Sequence, residues 1–203
     1  MTTDWNAEYR RLLSGRRHGH IDPPPWWREH PGSVPPPLSE AEVREAEVDL
    51  GITFPVEYRE HLLRHSAGGK AKHLFKGPRG WGWHGDTDTN YDLLPVPFPH
   101  PDSYAGYDDE LGDREPPRED AEAWAAWDDE CGVLQERKTA GAVFLEDNGC
   151  GFSTWLVVTG PHHGELWFDA RATCDLLLPM RVHGRSATFS DWLDGHSMDM
   201  VQW

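Results

Sequence analysis

The chain has 203 residues, with 35 Asp and Glu against 19 Lys and Arg, giving a formal charge of −16. That length suits one domain better than two, and that charge repels phosphate backbones and anionic lipid, which speaks against direct nucleic-acid binding. Eleven Trp, seven Phe and five Tyr supply enough buriable surface to exclude a wholly disordered acidic tail.

Residues 1–38 read as an N-terminal arm, a short helix followed by a Pro-rich segment. Seven prolines between residues 15 and 38 fix φ and remove backbone donors, which excludes regular helix or sheet there. Trp26 and Trp27 are the residues able to dock such a segment on a domain surface as a polyproline-like strand. The domain itself is expected over 39–203.

Ser39 and Glu42 have the spacing of a capping box, and Val43, Ala46 and Leu50 recur on one helical face before Gly51, which predicts a helix over 40–50. Pro55 suits the first turn of a second helix, with Tyr58, Leu62 and His65 on one face until Gly68-Gly69. Weak strands are expected at 72–75 and 91–96, separated by a Gly/Trp-rich loop in which Trp81 and Trp83 alternate as in a half-buried ribbon. The clearest signal comes later. Apolar, β-branched and aromatic runs at 142–146 and 152–159 flank Asp147-Asn148-Gly149-Cys150-Gly151, and Gly160-Pro161-His162-His163-Gly164 turns the chain into 165–169. These are three consecutive antiparallel strands, with Leu166 and Phe168 facing opposite to Trp167. Thr188 and Asp191 then cap a last helix carrying Phe189, Trp192, Leu193 and His196, running to about residue 200. With no regular βαβ alternation, the fold class is α+β: a mostly antiparallel meander flanked by an N-terminal helix pair and a C-terminal helix.

Glu47, Leu50, Gly51, Phe54, Pro55, Tyr58 and Leu62 form a pattern of a capped helix ending in Glu-x-x-Leu-Gly, a Phe-Pro step and Tyr-x-x-x-Leu. This opening resembles that of the SUKH superfamily, which includes a yeast cell-wall regulator and many bacterial toxin-immunity proteins. The loop Ser66-Ala67-Gly68-Gly69 departs from the family's Asn-Gly-Gly. Leu156-Val157-Val158-Thr159-Gly160 with Gly164-Glu165-Leu166-Trp167-Phe168-Asp169 is similar to the family's later hairpin, and Thr188-Phe189-Ser190-Asp191-Trp192-Leu193 to its terminal helix. The resemblance implies a non-catalytic binding module, commonly an immunity protein that sits on a toxin domain and blocks it.

Residues 102–130 hold twelve acidic residues against Arg114 and Arg118, so ten of the sixteen excess negative charges lie in this one stretch. Such density can steer a basic partner, and buried aromatics carry the affinity of such surfaces. Asp108, Asp109, Glu110, Asp128, Asp129 and Glu130, with Trp124 and Trp127, are therefore the candidate partner-binding residues. A solvated, partly disordered insertion is the plainer alternative.

Little else carries chemistry. Asp86-Thr87-Asp88-Thr89-Asn90 begins like a calcium loop, but Tyr91 and Pro97 stand where Gly and Glu are required, leaving an Asx-rich turn. Glu57, His61 and His65 lie one helical turn apart and are metal-capable types, yet Leu62 occupies the general-base position of His-Glu-x-x-His. His162, His163 and Glu165 read as a hairpin turn, and His18 and His20 as arm residues. Gly151-Phe152-Ser153-Thr154-Trp155 lacks the second Gly of a nucleophile elbow, and no phosphate-cradling Gly loop is present. Cys131, Cys150 and Cys174 have no Cys-x-x-Cys pairing, which suits reduced thiols in the cytoplasm. No signal-peptide run or stretch of ~20 apolar residues occurs, so no membrane partner is expected.

The reading is thus a cytoplasmic protein-binding module without catalytic residues, cofactor or metal, whose partner is a basic cognate toxin such as a nuclease. The alternatives are a metal-assisted hydrolase using Glu57, His61 and His65 or the Asp86–Asn90 carboxylates, and a scaffold in cell-envelope or signalling control.

Overall fold

The computed structural model describes residues 3–16, 25–30 and 33–203. His18 and His20 lie outside the described residues, as does the side chain of Trp26. The first elements are a helix α1 (Trp5–Arg16) and a single turn α2 (Pro25–Glu29). The turn α2 corrects the expectation that the Pro-rich arm excludes regular structure. A proline at the first helical position loses no bond, and the four residues after it contain no further proline. Trp27 does dock, but from this turn rather than from a polyproline strand: its ring meets His73, Phe75 and His84 edge-on at 5.4, 6.5 and 5.1 Å between centroids.

The capped helix forms as α3 (Glu40–Leu50). The Ser39 hydroxyl accepts from Glu42 N–H and the Glu42 carboxylate accepts from Ser39 N–H, while Gly51 at φ 68° takes the left-handed conformation that ends it. Pro55 caps α4 (Val56–Arg64). The hairpin β1 (Leu74–Gly77) and β2 (Gly80–Trp83) follows, so the Gly/Trp-rich stretch is itself a strand. The strand expected at 91–96 is instead a 3₁₀ turn at Tyr91–Leu93. Pro95 and Pro97 have no N–H to give to a ladder, which explains the difference.

The acidic stretch folds as α5 (Ala105–Asp113) and most of α6 (Ala121–Lys138). Four antiparallel strands come next in the order β3 (Ala142–Gly149), β4 (Phe152–Val157), β5 (Leu166–Asp169) and β6 (Leu177–Pro179), with a turn α7 (Arg171–Cys174) between the last two. A two-residue ribbon, β7 (Arg181–Val182) and β8 (Arg185–Ser186), leads into α8 (Phe189–Asp194). Gly195 stops α8 short of residue 200, and a 3₁₀ turn, Ser197–Met200, completes that span. The molecule is α+β with a four-stranded antiparallel sheet.

Period-two alternation divides the sheet into two faces. Val143, Leu145, Leu156, Leu166 and Phe168 join α3, α4 and α8 in the larger core, whereas Phe144, Trp155, Val157 and Trp167 form a second layer with Phe98. Tyr58 stands at the centre of the larger core, with its ring 4.9 Å from Phe189 and 5.2 Å from Phe54. Its hydroxyl accepts from Trp83 Nε1–H at 2.8 Å, and both side chains are essentially sealed from solvent. Replacing Tyr58 by Phe strands that buried indole donor, so Tyr58→Phe should lower unfolding free energy by about 1–3 kcal/mol with an unchanged denaturant slope in urea titrations.

At the other end, Arg185 bonds both carboxylate oxygens of Asp191 at 2.6 and 2.7 Å. This pairing, opposed by burial and aided by the Thr188 N–H, holds the Asp191 carboxyl at about 2 against an ordinary 3.8. A carboxyl whose folded value is depressed adds stability that is full above its ordinary value and lost as pH falls toward the folded one. The stability gap between this protein and Asp191→Asn should therefore be constant near neutrality and shrink between about pH 4 and pH 2, measured by urea midpoints across that range.

Candidate protein-binding surface

Asp120 opens α6 by accepting from Ala123 N–H at 3.1 Å, and the helix continues through the two tryptophans that the sequence singles out. Trp124 and Trp127 lie side by side with ring centroids 5.0 Å apart, and Arg118 sits over the Trp124 ring at 5.1 Å. Trp127 also ties α6 to α5, donating its Nε1–H to Leu111 O at 2.8 Å.

The candidate carboxylates divide into two groups. Asp108, Asp129 and Glu130 are engaged within the molecule. Asp108 accepts from Lys138 Nζ at 2.6 Å, and the Lys138 side chain is only 3% exposed. Glu130 is buried and accepts from Arg114 at 2.9 Å and from the Tyr107 hydroxyl. Burial pushes the Glu130 carboxyl up, but those two donors outweigh it and hold it below its usual range. Asp129 accepts from Asn6 Nδ2 at 2.8 Å, bringing α1 onto the same helix. Asp109, Glu110 and Asp128 point to solvent; Glu110 lies 3.8 Å from Arg114, and Asp109 and Asp128 have no ion pair among the described residues.

Sequence reasoning missed the contribution of α1. Trp5, Tyr9 and Leu12 repeat at helical spacing and meet Leu93, Val133 and Ala140. Arg16 bonds both oxygens of the buried Glu136, at 3.0 and 2.7 Å, and Asn90 Nδ2 donates to the same carboxylate at 3.0 Å. Gly132 permits this packing, because a Cβ there would stand 2.5 Å from the Tyr9 ring. Trp5, Pro116, Ala123, Ala126 and Trp127 consequently line an open groove together with Thr3 and the ion-paired Arg114 and Glu130.

Of the other candidate chemistry, the His61 and His65 rings stay together, stacked 5.8 Å apart between centroids, but Glu57 leaves them. His61 Nε2 donates to Gly68 O at 2.8 Å, while Glu57 turns to α8 and accepts from Ser190 N–H at 2.8 Å. Asp86 is buried, accepting from Asp88 N–H and Thr89 N–H at 3.0 and 3.1 Å as an Asx turn does, and burial raises its carboxyl above the ordinary value. His162 pairs with Glu165 at 3.0 Å and His163 donates to Thr53 O at 2.9 Å. Among the described residues no group of three His, Cys, Asp or Glu could hold a metal ion. Burial, followed by the charges of Asp128, Glu130 and Asp108, pushes the Cys131 thiol up to about 11, which keeps it protonated at neutral pH. No helix among the described residues is long and apolar enough to cross a membrane.

The model of the SMI1 / KNR4 family (SUKH-1) matches residues 37–195. The chain belongs to that family. Comparisons with curated proteins and with solved structures gave no match. SUKH-1 membership is consistent with a toxin-immunity or cell-wall-regulator-like role, and the family is generally non-catalytic. The SUKH-1 match runs across α5 and α6, whereas α1 and α2 lie before it.

The division of the carboxylates has a measurable consequence. Asp108→Asn leaves the buried Lys138 ammonium without its counter-charge and should cost about 3 kcal/mol of stability, whereas Asp109→Asn should change it by no more than about 0.5 kcal/mol, both read from urea unfolding.

Proposed function

We propose that this SUKH-1 protein is an immunity-type binding module of the cytoplasm that inhibits a basic toxin domain by covering it with the α5–α6 face. The observation that carries this reading is that α5 and α6, already fixed by internal ion pairs, leave carboxylates such as Asp109 and Asp128 in solvent, while α6 also lines a groove that includes Trp5 and Trp127. Exposed charge sets encounter rate and selectivity, a desolvated aromatic groove supplies affinity, and a surface ordered before binding avoids the entropy of ordering it on contact. A nuclease suits the charge best, because an enzyme that grips a polyanion presents a basic cleft to which an acidic face is complementary.

The proposal also refines which residues to alter. Reversing Asp108 or Glu130 would disturb the fold, so the informative variant is Asp109→Lys with Glu122→Lys and Asp128→Lys, all at exposed positions. Co-purification with the tagged chain should recover a basic toxin domain. The triple variant should then associate with it on the order of tenfold more slowly at low ionic strength, the gap narrowing as salt rises. Equal association rates at every salt concentration would defeat the proposal.

A further inference from the structure

The hairpin of β1 and β2 has two unequal edges. His84 N–H donates to His73 O at 2.8 Å, and with the register Phe75↔Gly82 and Gly77↔Gly80 this makes 73/84, 75/82 and 77/80 the mutually bonded pairs. Residues 74, 76, 81 and 83 therefore turn their backbone groups away from the partner strand. On β2 the outward donors are taken: Trp81 N–H by Asp49 Oδ2 at 2.6 Å and Trp83 N–H by the Tyr91 hydroxyl at 3.0 Å. On β1, Leu74 N–H goes to Ala67 O at 2.8 Å, but the N–H and C=O of Lys76 make no hydrogen bond among the described residues.

A cleft of about 250 Å³ lies against this open end of β1, between α3 and the extended segment 35–38. That volume falls below the ~300–1,000 Å³ of ordinary small-molecule sites, so it suits one or two side chains rather than a cofactor. Leu74, Phe75 and Trp81 line it, and the Trp81 Nε1–H is buried without a partner among the described residues. The opposite wall is Pro35-Pro36-Pro37, which has no N–H to offer, and the carbonyls of Pro35 and Pro36 are already bonded to Ser66 Oγ and Ala67 N–H at 2.8 and 3.2 Å. Pairing is thus available on the β1 side alone. Glu42 and Glu45 border the cleft, with Lys76 paired to Glu45 as the single ammonium, so the rim carries net negative charge.

We propose that this cleft receives an extended peptide segment of a partner protein as a third strand beside β1, with an aliphatic side chain in the cleft and basic residues two positions before and after it. Lys76 N–H donates to a carbonyl of the incoming strand and Lys76 C=O accepts from its N–H, while alternation places every second side chain toward the cleft. The acidic rim favours Lys or Arg at the flanking positions and repels an acidic strand. This docking site lies on elements other than α5 and α6 and stands or falls independently of the toxin-binding proposal.

The test is a titration of the ¹⁵N-labelled full chain with the peptide Ac-Lys-Thr-Val-Thr-Lys-NH₂, whose Lys and Val share one face, followed by NMR. The Lys76 amide and the Trp81 indole signal should shift saturably, and Ac-Glu-Thr-Val-Thr-Glu-NH₂ should bind about tenfold more weakly or not at all. N-methylation of alternate peptide bonds on the pairing edge should abolish the shifts without altering the protein, and Lys76→Pro should do the same while the Trp83 and Trp192 indole signals stay in place. Absence of a saturable shift, equal binding of the acidic peptide, or undiminished binding of the N-methylated peptide would overturn the proposal. A Lys76 shift that follows protein dilution without peptide would overturn it too, since a second copy of the chain would then be the occupant.

Discussion

Twelve acidic residues within the 29 positions 102–130 must fold against their own repulsion, and the way that charge is offset shapes this side of the molecule. Two cations drawn into the structure meet carboxylates of this stretch, and a third secures the same helix beyond it. Lys138 is sealed beneath Asp108, Arg114 reaches the buried Glu130, and Arg16 crosses from α1 to both oxygens of Glu136. Two of the pairs carry further bonds, from Tyr107 to Glu130 and from Asn90 to Glu136, as buried charge requires. Nine of the twelve carboxylates are exposed, so their field extends outward instead of disrupting the core.

This arrangement makes the N-terminal helix part of the surface. The ring of Tyr9 over Gly132, the bond from Asn6 to Asp129 and the Leu12 contact with Val133 fasten α1 along α6. Trp5 then lines the same groove as Trp127. The SUKH-1 match begins at residue 37, so this wall is supplied from outside the matched segment. A binding face assembled this way combines a family scaffold with a local addition, in keeping with the principle that function resides in sites carried on a shared fold.

Much of the scaffold was legible in the sequence because its elements obey strong local rules. The capping box of Ser39 and Glu42, the Gly51 stop and the alternation of Leu166, Trp167 and Phe168 all report structure within a few residues, and each appears where it was expected, while the turn expected over 147–151 narrows to 150–151 because β3 runs on to Gly149. The candidate surface was less legible for a physical reason. Helix α6 buries Glu130, Glu136 and Lys138 at positions where a hydrophobic stripe would ordinarily be sought, so charge density alone could not separate a packed helix from a solvated insertion. The partners of Asp129 and Glu136 come from residues as distant as Asn6, Arg16 and Asn90, and no local pattern announces them. The strand expected at 91–96 failed for the opposite reason: its apolar residues were read by composition while Pro95 and Pro97 governed the backbone.

The central claim is that the acidic stretch is an ordered layer held by buried ion pairs, presenting a face that exists before any partner arrives. Native-state hydrogen exchange resolved by residue tests it most directly. The account predicts that amides in the second half of α6, around Glu130 to Lys138, exchange as slowly as those of β4 and β5, and that this protection is lost in α6 ahead of the sheet when Asp108 is changed to Asn. Exchange of α6 at the rate of an unstructured chain, with the sheet protected, would contradict it and return residues 102–130 to a solvated insertion.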